Sequence, residues 1–191
     1  MKQLILGSTS PYRKELLEKL LIPFVCQKPN FDEESAKVSG LAPRALAEHL
    51  AFKKAESLKG AGKVIIGGDQ LVAFEGQILG KPHTIEKANS QLAAMSGKKH
   101  ELITAVCIFD EERALPFVNI TTLHMKKLES QEIAAYVQID NPLDCAGAYK
   151  IEKHGMSLFE KIETTDFTAI QGLPLMELQQ HLTVLGFKSF T

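Results

Sequence analysis

Cysteine is scarce in this chain of 191 residues, which contains only three. Cys26, Cys107 and Cys145 are odd in number and widely separated, so they match neither a disulfide framework nor the spacing of a zinc site. We therefore expect reduced thiols, placed in the core or near a site.

Long apolar runs are also lacking. No stretch approaches the length of a membrane span, and residues 1–6 are too short for the core of a signal peptide. These absences predict a cytoplasmic protein that has no membrane partner.

Neither sign of charge is in clear excess, since 22 Lys and Arg residues face 23 Asp and Glu residues and give a net charge of -1. The chain thus has no global positive field for nucleic acid and no run of like charge that would form a tail. We expect a small ligand and no nucleic-acid partner.

Several catalytic signatures are absent. The six histidines show no metal spacing, and the chain has no H-E-x-x-H, Cys-x-x-Cys or G-x-S-x-G pattern. The segment 60–63 is like the end of a P-loop, but the leading glycine and the following Ser or Thr are missing. Zinc chemistry, a serine-hydrolase triad and a P-loop are therefore disfavoured.

What the chain does contain is enough apolar sequence for a sizeable core, because 45% of its residues are hydrophobic. It has no internal repeat, low-complexity segment or obvious linker. We predict a single domain over residues 1–191.

The N-terminal segment predicts a strand that leads directly into a helix. The apolar run 4–7 has strand character, Ser10 is the natural N-cap, and Pro11 stands at the first helical position. A helix N-terminus has unpaired N–H groups that attract anions, and Ser8 and Arg13 add further donors. The segment is either a phosphate cradle or an ordinary, well-capped strand-turn-helix junction.

A second strand is predicted at 63–69, where a β-branched run ends in two glycines and Asp69. This pattern is typical of a central strand that delivers an acid to its carboxyl edge. The segments 71–74 and 77–79 flank Glu75-Gly76 and predict a hairpin, which would return Lys81 toward Asp69.

The remaining elements follow from periodicity and caps. Strands are predicted at 24–27, 102–109, 116–125 and, as a pair, at 150–152 and 157–160; helices are predicted at 43–58, 84–95, 130–137 and 174–185.

Two charged groups have alternative interpretations. The loop cluster Asp32-Glu33-Glu34 is either a solvated face or a set of oxygen ligands for a divalent cation. Lys53 and Lys54 lie beside the buried side of the helix at 43–58, and we expect one of these lysines to face a cleft.

Together these residues suit a polyphosphate. Hydroxyls and cations would offset the phosphate charge, and acids would hold a metal or take a proton from water. The first group is Ser8, Ser10, Arg13, Lys53 and Lys81, and the second is Glu33 and Asp69. The combination indicates nucleotide hydrolysis.

The chain resembles a known family, the Maf-type nucleotide pyrophosphatases. The matching segments occur in order along nearly the whole chain: Ser8-x-Ser10-x-x-Arg13, Gly68-Asp69-Gln70, Gly80-Lys81-Pro82, the 95–100 segment with Thr104, and Gly172-Leu173-Pro174-Leu175. The resemblance implies an α/β fold, with a mixed twisted sheet, flanking helices and two lobes around a deep nucleotide-binding cleft. It also implies frequent dimers, a divalent metal such as Mg²⁺ or Mn²⁺, and hydrolysis of a nucleoside triphosphate to the monophosphate and pyrophosphate.

The family pattern also implies roles for individual residues. Asp69 would accept the proton of the attacking water, and Glu33 would lie with it near the metal. The residues near the phosphates would be Ser8, Arg13, Lys53 and Lys81.

The branch most similar to this chain acts on 7-methyl-GTP. A pyrimidine branch has Gly-Ala-Asp-Thr at the strand end and Gln in place of Glu152, whereas this chain has Asp69-Gln70 and Glu152. A carboxylate such as Glu152 can accept both N1–H and N2–H of guanine, while uracil suits an amide.

Tyr12 would offer an aromatic face to the positively charged methylated base. Relatives in this branch often have Trp at that position, which is a better partner for a cation. Tyr12 and Glu152 could instead be ordinary surface residues on a helix and a strand. The alternatives for function are a dTTP or UTP pyrophosphatase and a nucleotide-binding regulator of cell division.

Overall fold

The computed structural model describes residues 2–33 and 40–190. Its strands are β1 Gln3–Gly7, β2 Val25–Cys26, β3 Lys63–Phe74, β4 Gln77–Leu79, β5 Lys99–Asp110, β6 Arg113–Met125 and β7 Phe159–Glu163. Its α-helices are α1 Pro11–Glu18, α2 Pro43–Glu56, α3 Ile85–Met95, α4 Ser130–Asp140 and α5 Leu175–Val184. Short 3-10 segments lie at Ala146–Ala148, His154–Leu158 and Phe167–Gln171.

The strands form one mixed sheet of seven strands. Their order is β2-β1-β3-β5-β6-β7, and β4 pairs with β3. β1 runs parallel to β2 and β3, whereas β3–β4 and β6–β7 are antiparallel pairs. The prediction of an α/β fold with a mixed sheet is confirmed.

By their contacts, the residues divide into two compact units. The first unit comprises 1–70, 104–119 and 166–191, and the second comprises 71–103 and 120–165. Helices α1, α2 and α5 belong to the first unit by residue number, and α3 and α4 belong to the second.

The first unit has a hydrophobic core between its strands and two of its helices. Strands β1, β3 and β5 contribute alternate residues, since successive strand side chains point to opposite faces. The buried cluster includes Leu4, Leu6, Leu16, Leu17, Ile22, Val64, Ile66, Val106, Ile108, Phe117, Leu173, Leu175, Leu178 and Leu182. This packing fixes the ends of β1 and α1, where the candidate site lies.

The second unit buries a cluster of three rings. His100 on β5 lies with its ring centroid 5.5 Å from that of Tyr149 and 5.8 Å from that of Phe159. The Nε2 atom of His100 is 3.1 Å from the Tyr149 hydroxyl. Burial lowers the pKa of His100 from 6.5 to about 4, so this histidine is neutral at neutral pH.

The start of α1 is as predicted. Ser10 is the N-cap, its hydroxyl accepts a hydrogen bond from the backbone N–H of Arg13 at 3.4 Å, and Pro11 occupies the first helical position. Such a cap forms from neighbouring residues alone, so it is visible in the sequence.

Strand β3 does not end at Asp69, as the two glycines had suggested, but continues to Phe74. A Cβ atom on Gly67 would lie only 2.4 Å from the carbonyl oxygen of Ala51 on α2. Glycine is therefore required there for the close approach of a helix. The parallel pairing with β1 does end at Gly7 and Gly67, so Asp69 lies two residues beyond that edge.

The predicted strand at 150–152 is wrong. The backbone N–H groups of Lys153 and Gly155 both donate to the carbonyl oxygen of Lys150, at 3.1 and 3.0 Å, and close a tight turn. The backbone N–H of Lys150 donates to the hydroxyl of Tyr136 at 2.8 Å. These backbone groups are thus used by the turn itself and by Tyr136 on α4, and β7 pairs with β6 instead.

No helix among residues 2–33 and 40–190 combines the length and the apolar character needed to cross a membrane.

Candidate active site

The turn between β1 and α1 is held by its own serines. The Oγ atom of Ser8 accepts from the backbone N–H of Ser10 at 3.1 Å, and the Oγ atom of Ser10 caps α1. Ser8 is buried, whereas Ser10 is partly exposed. Both hydroxyls thus order the turn, and each hydroxyl hydrogen remains available to an anion because these bonds use only the oxygen lone pairs.

Asp69 lies on β3 and is 7% exposed. Its Oδ1 atom accepts from Nζ of Lys54 at 2.7 Å. Its Oδ2 atom is buried and has no hydrogen-bond partner among the described residues. Because a buried polar atom normally has a partner, an orphaned carboxylate oxygen indicates a place for a ligand, a metal ion or a water molecule.

Lys54 connects two carboxylates. Its Nζ atom lies 2.7 Å from Oδ1 of Asp69 and 3.1 Å from Oε1 of Glu33. Lys54 is 6% exposed, whereas the Glu33 side chain is half-exposed. One buried cation therefore offsets a buried acid and a more accessible one. Glu34 of the predicted acidic cluster lies outside the described residues.

Arg13 is fixed by the backbone at the far end of the chain. Its Nε atom donates to the carbonyl oxygen of Gly172 at 2.9 Å. Cβ atoms built on Gly68 and Gly172 would lie 3.6 and 3.4 Å from that Nε atom. At Gly172 the backbone φ is +105°, a conformation that glycine adopts without strain. The two glycines thus leave room for the arginine side chain.

The electrostatics of Asp69 are those of a buried acid with cations nearby. Burial raises the pKa of the Asp69 carboxyl above its ordinary value, while the charge and hydrogen bond of Lys54 and the charge of Arg13 oppose that rise. The charge of Glu33 adds to the rise. Burial also lowers the pKa of the Arg13 guanidinium, which Asp69 and Glu33 counteract. A carboxylate tuned in this way is a candidate proton acceptor.

Lys53, the lysine chosen from the sequence, makes a different contact. Its Nζ atom lies 2.8 Å from Oε2 of Glu56 on the same helix, and its side chain is 39% exposed. The structure therefore brings Lys54 to Asp69 and leaves Lys53 in a helix-surface pair. A signal for Lys54 was present, because it continues the i, i+3, i+7 pattern of Ala47 and Leu50, which are both buried.

Gln70 follows Asp69, and its amide nitrogen is committed to the protein. Its Nε2 atom donates to Oγ1 of Thr104 at 2.8 Å and to the carbonyl oxygen of Ala169 at 2.8 Å, with that of Ile170 at 3.3 Å. An amide nitrogen has two hydrogens, so Gln70 can offer a substrate only its Oε1 atom.

Comparisons with known proteins identify the family of the chain. The family described as Maf-like protein matches residues 3–185. The chain belongs to the Maf family. A protein of Bdellovibrio bacteriovorus named 7-methyl-GTP pyrophosphatase is 60% identical over 177 residues, which cover 93% of this chain and 94% of that protein. A protein of the same name from Colwellia psychrerythraea is 42% identical over 182 residues, covering 93% and 90% of the two chains.

A solved structure has a similar fold. The structure of a HAM1 protein from Coxiella burnetii matches with a TM-score of 0.53, covering 96% of this chain and 99% of that chain. At 15% identity this likeness concerns the fold alone. The predicted resemblance to the Maf family is confirmed by the family match and the relatives.

The other residues of the Maf pattern have the following surroundings. Lys81 is exposed, and the preceding carbonyl oxygen of Gly80 accepts from Nε2 of Gln91 on α3 at 3.0 Å. Glu152 is exposed in the turn that follows Lys150. Tyr12 lies in the first turn of α1 and is 38% exposed. Their predicted roles remain predictions.

Residues 2–33 and 40–190 contain no group of three or more His, Cys, Asp or Glu side chains that could hold a metal ion. Within the described part of the chain, Lys54 forms ion pairs with two acidic groups, those of Asp69 and Glu33. That number still suits Mg²⁺, which is usually bound by one or two carboxylates together with water and substrate phosphates.

Proposed function

We propose that this Maf-family protein is a pyrophosphatase that hydrolyses 7-methyl-GTP to 7-methyl-GMP and pyrophosphate. The observation that carries the proposal is the 60% identity, over 93% of the chain, with a protein named for this activity. The buried Asp69 pairs with Lys54, and its Oδ2 atom has no hydrogen-bond partner in the described part of the chain, so its carboxylate suits the role of proton acceptor. Such an activity would remove a modified nucleotide before polymerases use it.

In the proposed reaction Asp69 accepts a proton from water as the water oxygen attacks the α-phosphorus. The bond from the α-phosphorus to the bridging oxygen breaks, and pyrophosphate leaves with the electron pair. Arg13 and Lys54 offset the negative charge that the reaction brings near Asp69. The orphaned Oδ2 atom of Asp69 is the proton acceptor in this scheme, because Oδ1 already accepts from Lys54.

The phosphates are proposed to contact the hydroxyls and cations predicted from the sequence. The N-terminus of α1 offers backbone N–H groups beside its two serines. We keep Ser8, Ser10, Arg13, Lys53 and Lys81 in this role as a prediction, and we add Lys54 because of its contact with Asp69.

Base selection is proposed for Glu152, Tyr12 and Gln70. The carboxylate of Glu152 can accept the two donors on the Watson–Crick edge of guanine. Oε1 of Gln70 is a further acceptor, since Nε2 is already in use. The ring of Tyr12 would favour the delocalised positive charge of the methylated base.

A divalent metal, Mg²⁺ or Mn²⁺, fits the donor set of the site. Asp69 and Glu33 would hold it, because carboxylate oxygens suit these ions and both carboxylates lie within 3.1 Å of the same Nζ atom of Lys54. When bound, the metal would supply positive charge that polarises the phosphate oxygens. We also propose a nucleotide-binding cleft between two lobes, a single domain over residues 1–191, a homodimer and a cytoplasmic location.

A nucleotide panel tests the function. The purified protein is incubated with 7-methyl-GTP, GTP, dTTP or UTP, with MgCl₂ or MnCl₂, and the products are identified by chromatography. We expect the fastest turnover for 7-methyl-GTP, with 7-methyl-GMP and pyrophosphate in equal amounts. Preference for dTTP or UTP would favour the pyrimidine activity, and tight binding without metal-stimulated hydrolysis would favour a regulatory module.

A further inference from the structure

One carbonyl oxygen in the first unit collects three hydrogen bonds. The oxygen of Ala169 accepts from Nε2 of Gln70 at 2.8 Å, from Oγ1 of Thr104 at 3.0 Å and from the backbone N–H of Gly172 at 2.9 Å. Thr104 is fully buried, and its hydroxyl also accepts from Gln70. The segment 166–172 is thereby attached to β3 and β5 at one point.

The backbone of Gly172 connects the oxygen of Ala169 to Arg13. Gly172 donates its N–H to the oxygen of Ala169, and its own carbonyl oxygen accepts from Nε of Arg13 at 2.9 Å. A continuous chain of hydrogen bonds thus runs from the residue after Asp69 to the guanidinium proposed to meet the phosphates. A long arginine side chain loses much rotamer freedom when it is held, so a fixed acceptor matters for its placement.

We propose that Gln70 and Thr104 are positioning residues, which hold the 166–172 segment so that the carbonyl oxygen of Gly172 fixes the guanidinium of Arg13. The inference rests on the proposed function, because it takes Arg13 as a ligand of the phosphates. Gln70 would then have two roles. Its Oε1 atom would contact the base, and its Nε2 atom would hold the 166–172 segment.

The polarity of the contacts explains why an amide is needed at position 70. The groups that surround Nε2 are two backbone carbonyl oxygens and a hydroxyl oxygen. The Thr104 hydroxyl gives its single hydrogen to Ala169, so it can only accept from Gln70. A carboxylate at position 70 would set its oxygens against these acceptors, whereas the amide nitrogen satisfies them.

Binding of pyrophosphate separates the two tasks, since pyrophosphate has no base to be read. The informative variants are Gln70→Met, which removes the amide at similar length, and Thr104→Val, which removes only the hydroxyl. Each variant leaves the oxygen of Ala169 with two of its three donors, so neither creates an orphaned carbonyl there. Both variants are therefore expected to fold, as judged by circular dichroism and a thermal transition.

Two further variants act as controls. Thr104→Ser keeps the hydroxyl and should restore wild-type behaviour. Thr121→Val makes the matched change at another fully buried threonine, whose Oγ1 atom donates to Oγ1 of Thr164 at 3.0 Å in the second unit. It reports the general effect of burying valine in place of threonine.

The measurement is calorimetric titration of each full-length protein with pyrophosphate in MgCl₂. We expect Gln70→Met to weaken binding about ten-fold and Thr104→Val about three-fold, the range of one or part of one net hydrogen bond. Thr104→Ser and Thr121→Val should bind as the wild type does. Wild-type affinity in both Gln70→Met and Thr104→Val overturns the inference, and so does a wild type that binds no pyrophosphate. Should Gln70→Met fail to fold, Thr104→Val against its two controls decides.

Turnover of 7-methyl-GTP by the wild type is measured alongside the titrations. A wild type that binds pyrophosphate but does not hydrolyse 7-methyl-GTP contradicts the proposed function and leaves the positioning test in force. A wild type that hydrolyses 7-methyl-GTP, with unchanged pyrophosphate affinity in both variants, contradicts only the positioning role.

Discussion

The substitution Lys54→Met probes the electrostatics of the site most strongly. It removes the buried ammonium group, whose Nζ atom lies 2.7 Å from Oδ1 of Asp69 and 3.1 Å from Oε1 of Glu33. The methionine side chain fills most of the same volume. Breaking a buried ion pair by removing one partner costs roughly 3–5 kcal/mol, because the other charge stays buried. Arg13 remains as a second cation near Asp69 and Glu33 is half-exposed, so we expect about 3 kcal/mol at pH 8, at the lower end of that range.

The cost should depend on pH in a definite direction. Burial already raises the pKa of Asp69, and the loss of Lys54 removes the largest influence that lowers it. In the variant, the folded protein therefore binds the Asp69 proton more tightly than the unfolded chain does, and its stability falls as pH rises. We expect the stability difference from the wild type to shrink as pH is lowered from 8 toward 5, and the acid limb of kcat/KM to move to higher pH.

Urea denaturation followed by fluorescence and circular dichroism measures the stability of both proteins at several pH values. Lys53→Met is the matched comparison, since the Nζ atom of Lys53 pairs with Glu56 at the helix surface and exposed pairs contribute at most about 1 kcal/mol. Equal stability losses for the two lysine variants, or a Lys54→Met loss that does not change with pH, would refute the reasoning. A large loss of activity in Lys53→Met alone would restore the assignment made from the sequence.

Three further outcomes follow from the site and the fold. Asp69→Asn should abolish turnover while the circular dichroism spectrum stays native; retained activity would contradict the role of the acid. Glu152→Gln should lower kcat/KM for 7-methyl-GTP about ten-fold or more and shift preference toward UTP, measured on the nucleotide panel, since a carboxylate hydrogen bond contributes roughly 1.5–3 kcal/mol; an unchanged ratio would remove Glu152 from base selection. His100, with its pKa lowered to about 4, takes up a proton near pH 6.5 only when unfolded. Stability should therefore fall by about 2 kcal/mol from pH 7 to pH 5, and His100→Gln should reduce that dependence in urea titrations.

Local features of the fold were predictable from the sequence. The cap of α1 depends on Ser10 and Arg13, which are three residues apart, and the hairpin of β3 and β4 closes around the adjacent Glu75 and Gly76. Nearby residues decide such features, so their pattern appears in the sequence. The relatives also confirm the predicted family and bear the name of the predicted branch.

Features that depend on distant partners could not be predicted in the same way. Gln70 contacts Ala169 across 99 positions of the chain, and Arg13 contacts Gly172 across 159. Gly67 looked like the end of a strand in the sequence. The true reason for glycine there is the carbonyl oxygen of Ala51, which belongs to another element and is not visible from neighbouring residues. The turn after Lys150 looked like a strand because backbone bonds to one carbonyl oxygen, rather than side-chain alternation, determine its shape.

Lys54 is an intermediate case. The sequence indicated that one of two adjacent lysines on α2 would face a cleft, but adjacent residues on a helix point about 100° apart. Only the extension of the buried stripe from Ala47 and Leu50 distinguishes Lys54 from Lys53. The burial pattern of a helix can therefore identify a charged residue as buried, even though its residue type alone would place it at the surface.

The central claim is that water, activated by Asp69, attacks the α-phosphorus of 7-methyl-GTP. Hydrolysis in water enriched in oxygen-18, with mass spectrometry of both products after a single turnover, tests it directly. We predict that the label appears in 7-methyl-GMP and that pyrophosphate remains unlabelled. Label in pyrophosphate, or release of single phosphates in its place, would contradict the account.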